Sequence, residues 1–158
     1  IANQLKEHSI VRKYRAICMG VLKEDEYTIN APIGRHPVER KKMAINYSHG
    51  KRAVTHYKVL TRFRDYTYIE CQLETGRTHQ IRAQMAHFGC PLLGDGKYGS
   101  ERFNKGYGEK GQALYSYKLR FTFPTAAGCL EYLKGKEFCV KSVDFAEKYF
   151  GISELESL

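Results

Sequence analysis

The chain has 158 residues, 42% of them hydrophobic and 13% aromatic, enough for a domain with its own core and unlike the composition of a disordered chain. Lysine and arginine total 26 against 17 acids, a net charge of +9; a field of that sign draws polyanions, nucleic acid above all, although a basic protein with no such partner has the same count. No apolar run approaches the roughly 18 residues of a membrane-spanning helix, and no short apolar segment follows a basic start, so a cytoplasmic protein with no membrane partner is expected.

Residues 2–8 read as a helix that opens without a capping residue. Residues 11–22, rich in β-branched and aromatic side chains, suit a strand, and 27–34 a shorter one ending at Pro32 and Gly34. The densest basic stretch, Arg35 to Lys42, has proline and glycine beside it and reads as a loop. Two strand-like runs in 55–74 flank Arg64-Asp65, a hairpin. On the second run Tyr66, Tyr68, Glu70 and Gln72 alternate with Thr67, Ile69, Cys71 and Leu73, the period-two pattern of a half-buried strand. Thr78 then caps a helix running to Gly89, with Ile81, Met85 and Phe88 as its apolar stripe and Gln80 and Arg82 turned away.

Residues 90–100, with Gly94, Gly96 and Gly99, read as an irregular loop, and 113–124 alternate as another strand. The remainder, 125–158, is expected to complete a sheet edge through Cys139-Val140 and to pack a closing helix over 142–152. Without β-α-β alternation, a single α+β domain follows: a mixed, mostly antiparallel sheet with flanking helices. Cys18, Cys71, Cys90, Cys129 and Cys139 are an odd, widely spaced set with no C-x-x-C pair. They are expected as buried reduced thiols, with neither a disulfide framework nor a metal site.

Chemistry concentrates between Leu73 and Arg82. A strand delivers the chain to Gly76, which permits a tight turn, and a helix starts at once. Backbone N–H groups and the positive helix end then stand beside Arg77, His79 and Arg82, an arrangement suited to a phosphate or an ionised carboxylate. On these residues alone, an ordinary strand–turn–helix junction with solvated arginines is the simpler account.

The segment Thr75-Gly76-Arg77-Thr78-His79-Gln80-Ile81-Arg82, followed by Gly89-Cys90-Pro91-Leu92-Leu93-Gly94-Asp95-Gly96-Lys97-Tyr98-Gly99, closely resembles the hallmark of the RluA-like class of RNA pseudouridine synthases. Two further segments agree in order. Arg12-Lys13-Tyr14-Arg15-Ala16 is similar to the class's K-x-Y-x-A strand; Pro32 to Pro37, Arg40 to Met43 and Gly50 to Thr55 are similar to its P-I-x-R-H-P…R-K-M…G-K-x-A-x-T run.

The resemblance implies the catalytic-domain fold of that class and isomerisation of uridine to pseudouridine in ribosomal or transfer RNA, by a monomer without metal or organic cofactor. An aspartate attacks the target uridine, the N1–C1′ bond breaks, the uracil turns, and C5 bonds to C1′; the base must first leave its stack. Tyr14 takes the place of the active-site tyrosine, packing on the flipped base and assisting proton removal at C5. Arg82 takes that of the arginine that holds the nucleophilic carboxylate ionised. Ile81 lines the pocket as well as the core, while Arg77, His79 and Gln80 shape the turn or hold RNA backbone. The loop bearing Arg35, Arg40, Lys41 and Lys42, with Lys51 and Arg52 nearby, is a phosphate-contacting patch or a solvated loop.

One departure matters. The class carries its nucleophile in an H-R-L-D-x-x-T/S-S-G motif upstream of the tyrosine strand, and this sequence has no such motif. Its four aspartates, Asp25, Asp65, Asp95 and Asp144, stand in other contexts, Asp95 in the G-D loop with a structural role. With Ile1 first and the opening helix uncapped, a truncated chain is expected: the C-terminal portion of a synthase catalytic domain, inactive alone. The alternatives are a non-catalytic RNA-binding domain on the same scaffold, and a basic interaction module that binds no RNA.

Overall fold

The structure, a computed structural model, describes residues 10–107, 111–123 and 126–140. The helices expected at 2–8 and 142–152 lie outside these residues.

A six-stranded sheet runs through the molecule. Its strands are β1 (Ile10–Met19), β2 (Glu26–Asn30), β5 (Val54–Phe63), β6 (Tyr66–Leu73), β7 (Leu114–Phe121) and β8 (Glu137–Cys139), in the order β2-β5-β6-β1-β7-β8. Every neighbouring pair among them is antiparallel. The short strands β3 (Ile33–Arg35) and β4 (Met43–Ile45) form a separate ribbon that brackets the basic loop. The architecture is α+β, as the sequence implies, and β8 adds the edge strand expected from the tail. Arg64-Asp65 joins β5 to β6, with Arg64 at φ 55.

Helix α1 (Gln80–His87) packs Ile81 and Met85 on one sheet face, against Ala16, Cys18, Ile69 and Cys71. The other face carries a second cluster, Ile17 and Tyr68 under Leu93, Ala113 and Tyr117. Both faces of the sheet centre are therefore covered, which corrects the half-buried reading of β6: Tyr68 is buried along with Thr67, Ile69 and Cys71. The second cluster also holds the buried Arg15, whose guanidinium lies 4.0 Å from the Tyr117 ring centroid and 2.9 Å from Glu70. Cation–π and ionic contact together offset its desolvation.

Two other expectations change. The apolar stripe of α1 stops at Met85; Phe88 is exposed and stacks edge-on against His87. Cys18, Cys71 and Cys90 are buried, whereas Cys129 and Cys139 are exposed. Burial pushes the Cys18 thiol up to about 12 and also raises Cys71, so both behave as inert core residues. Gly89 does end the helix, in the left-handed conformation (φ 81) that favours glycine at that position.

Candidate active site

The strand–turn–helix junction is organised by two glutamines. Gln80 is 3% exposed, and its amide is saturated. Its Oε1 accepts from the Thr75 hydroxyl (2.8 Å) and the Arg77 N–H (3.0 Å). Its Nε2 donates to the Val54 carbonyl (3.0 Å) and the Thr55 hydroxyl oxygen (2.9 Å). A contact from Gln80 to RNA is therefore ruled out: of its two expected roles, only shaping the turn remains. One helical turn on, buried Gln84 accepts from the Thr55 hydroxyl (2.6 Å) and donates to the carbonyls of Ala31 (3.1 Å) and Ala53 (3.0 Å). Helix α1 is thus pinned to the start of β5 by buried bonds from the Gln80 Nε2 and from both ends of the Gln84 amide.

Thr78 is not the helix cap. His79 occupies that position at φ 53 without a side-chain cap, and Gln80 satisfies the Arg77 amide from within the helix. The His79 ring turns instead to Tyr98: Nδ1 lies 2.8 Å from the phenol oxygen, which also accepts the Met43 N–H at 2.9 Å. Burial first, then the positive charges of Arg82 and Lys97, hold the His79 pKa below its ordinary value, so its ring is neutral near pH 7.

Arg82 is held at two points. Nε donates to Asp95 Oδ2 at 2.8 Å and Nη2 to Oδ1 at 2.9 Å, while the guanidinium also lies 5.1 Å from the Tyr98 ring centroid. Asp95 is fully buried, and its Oδ1 accepts two further bonds, from the Lys97 and Tyr98 amides, both at 3.0 Å. Burial alone would raise the Asp95 pKa; the Arg82 bond and the two amides outweigh it and lower it. In turn, the Asp95 hydrogen bond raises that of Arg82. Two of the Arg82 nitrogens are therefore already committed within the chain. Nη1 makes no hydrogen bond among the described residues and keeps its two donors. Asp95 accepts four hydrogen bonds and is fully buried, so it presents no exposed carboxylate for attack.

Tyr14 lies on β1 beside Cys71 of β6 and Ser116 of β7, half-buried against the core cluster that contains Ile81. Strand β1 and helix α1 thereby bring Tyr14 and the residue preceding Arg82 onto one face of the sheet. Ile81 itself is a core residue, 4% exposed. Arg77 is exposed and donates from Nε to the Arg52 carbonyl at 2.9 Å. In the basic loop, Arg35 donates to the Arg40 carbonyl (3.3 Å) and Lys42 pairs with Glu39 (2.5 Å), while Arg40 and Lys41 project into solvent. Sequence reasoning missed Gln84 and Tyr98. The i, i+4 spacing of Gln80 and Gln84 beside apolar Ile81 and Met85 was the available signal for the first, and the position of Tyr98 three residues after Asp95 for the second.

Known proteins resemble this chain in sequence and in fold. The sequence model of the RNA pseudouridylate synthase family matches residues 1–87. An uncharacterized RNA pseudouridine synthase of Bacillus subtilis, YlyB, is 46% identical over 135 residues, covering 84% of this chain and 42% of that protein. Ribosomal large subunit pseudouridine synthase D of Pseudomonas aeruginosa is 55% identical over 96 residues, 61% of this chain and 29% of its own length. The chain thus spans less than half of these relatives. The solved structure of human RNA pseudouridylate synthase domain containing 1 superimposes with a TM-score of 0.72 at 27% identity, over 88% of this chain and 57% of that one. Human RNA pseudouridylate synthase domain containing 4, at 23% identity and a TM-score of 0.65, shares the fold. The chain belongs to the RNA pseudouridylate synthase family.

Proposed function

We propose that this chain supplies the tyrosine and arginine of a catalytic centre that isomerises uridine to pseudouridine in ribosomal RNA. The observation that carries the reading is the Arg82–Asp95 pair, at 2.8 and 2.9 Å, next to the core cluster on which Tyr14 packs. Asp95 fixes the guanidinium plane, so that Nη1 is aimed before any substrate arrives; preorganised donors of this kind account for much of enzymatic rate enhancement. In the proposed reaction an ionised carboxylate meets Nη1 and attacks the flipped uridine. Tyr14 packs on the base, and its hydroxyl assists loss of the C5 proton once the new carbon–carbon bond has formed. The ribosomal substrate class is favoured by the likeness to a ribosomal large subunit synthase.

The nucleophile is the missing part. Among the described residues, Asp25 is an exposed partner of Arg62 (2.8 Å), Asp65 sits in the hairpin turn, and Asp95 is spent on Arg82. The chain as given is therefore proposed to be inactive by itself. The test is tritium release from ribosomal RNA labelled at uridine C5, comparing the 158-residue chain with the natural full-length protein. Release by the full-length protein alone is expected, and release by the isolated chain would refute the assignment of an external nucleophile.

A further inference from the structure

Strand β1 carries Arg12, Lys13, Tyr14 and Arg15 in succession. Lys13 and Arg15 turn to one side, where both meet Glu70, at 3.3 and 2.9 Å. Arg12 pairs with Leu119 of β7, and that register shifts between Lys13 and Tyr14, so the turn it touches, rather than strand alternation, gives its place. Its guanidinium lies against the turn that opens the Gly76-Arg77-Thr78-His79 segment: a Cβ at position 76 would stand 2.4 Å from Arg12 Nη1. A side chain at position 76 would push the guanidinium aside.

Arg15, Arg52, Arg62 and Arg82 each have a carboxylate partner. Arg12 has none among the described residues, and its Nε is buried without a hydrogen-bond partner. The nearest acid along the turn, Glu74, is engaged by Arg52 at 3.5 Å and His56 at 3.3 Å. A partly desolvated guanidinium with open donors is costly unless an anion meets it when the protein works. Its planar fork suits the two non-bridging oxygens of a phosphodiester, and the turn beside it, 76–78, is exposed.

The geometry points to Arg12 as an RNA-phosphate contact, holding the strand backbone close to the nucleotide over Tyr14. This rests on the RNA-modifying reading above. The test uses the natural full-length protein and a transcript of large-subunit ribosomal RNA, with filter binding across a salt series. Arg12→Gln is expected to bind more weakly and to reduce the slope of log K against log salt by about one. Gly76→Ala removes no charge but displaces the guanidinium, and it is expected to weaken binding with a reduced slope; it keeps the test open if Arg12→Gln does not fold. A wild-type slope in both variants, or weaker binding with an unaltered slope, overturns the assignment and makes Arg12 a structural residue or the partner of a protein carboxylate. If the wild-type protein does not bind the transcript, the RNA reading itself falls along with this one.

Discussion

Asp95 takes two nitrogens of the Arg82 guanidinium and leaves the third, so one buried carboxylate decides where the remaining donors point. Asp95→Asn keeps the shape but leaves the Arg82 charge, only 14% exposed in its side chain, without its partner. The expected cost is about 3 kcal/mol in urea unfolding, with catalytic loss following from the freed arginine. The pH dependence has a definite sign. The folded-state pKa of Asp95 is lowered, so its contribution is complete above the ordinary value of 3.8 and is lost as pH falls through the native value below it. Wild-type stability should therefore drop across that acid window, and Asp95→Asn should drop less. Equal acid slopes in the two proteins would contradict the ionised pairing. The sequence alone placed Asp95 in a structural loop and Arg82 in the site; that the two are partners was not visible, because residues 82 and 95 are joined through an irregular glycine-bearing loop whose path no periodicity encodes.

Helix α1 is placed by polar bonds as much as by its apolar stripe. Gln84→Leu would leave the Thr55 hydroxyl proton without its acceptor and the Ala31 carbonyl without its Gln84 donor, in residues with no solvent exposure. The expected destabilisation is about 2 kcal/mol, read as a lower urea midpoint at unchanged m. A midpoint equal to wild type would mean that these bonds contribute nothing net. The end and the inner face of this helix were legible, from Gly89 and from Ile81 and Met85. Its start was not. Thr78 has the chemistry of a cap, but a left-handed His79 and an inward Gln80 replace it, and a buried glutamine cannot be told from a surface one by type. Phe88 illustrates the converse: at i+7 from Ile81 it lies beyond the last residue of the helix, where the stripe no longer meets the sheet.

At the scale of the molecule, the antiparallel sheet carries the parts of the proposed site on elements far apart in sequence: Tyr14 on the strand at its centre, Arg82 on the helix that covers it, and Asp95 on the loop beyond. The hairpin at Arg64-Asp65, the strand over 114–121 and the edge strand were all readable from alternation. The second core cluster was not, since Tyr68 alternates in phase with Glu70 and Gln72, on the side that the pattern turns toward water. In the proposed reaction the part of Arg82 left open by Asp95 holds the attacking carboxylate. Arg82→Lys in the natural full-length protein tests it most directly: lysine keeps a positive charge for Asp95 but lacks the fork that presents a second set of donors. Tritium release from ribosomal RNA labelled at uridine C5 should fall at least about a hundredfold in the folded variant, whereas release at the wild-type rate would contradict the role given to Arg82.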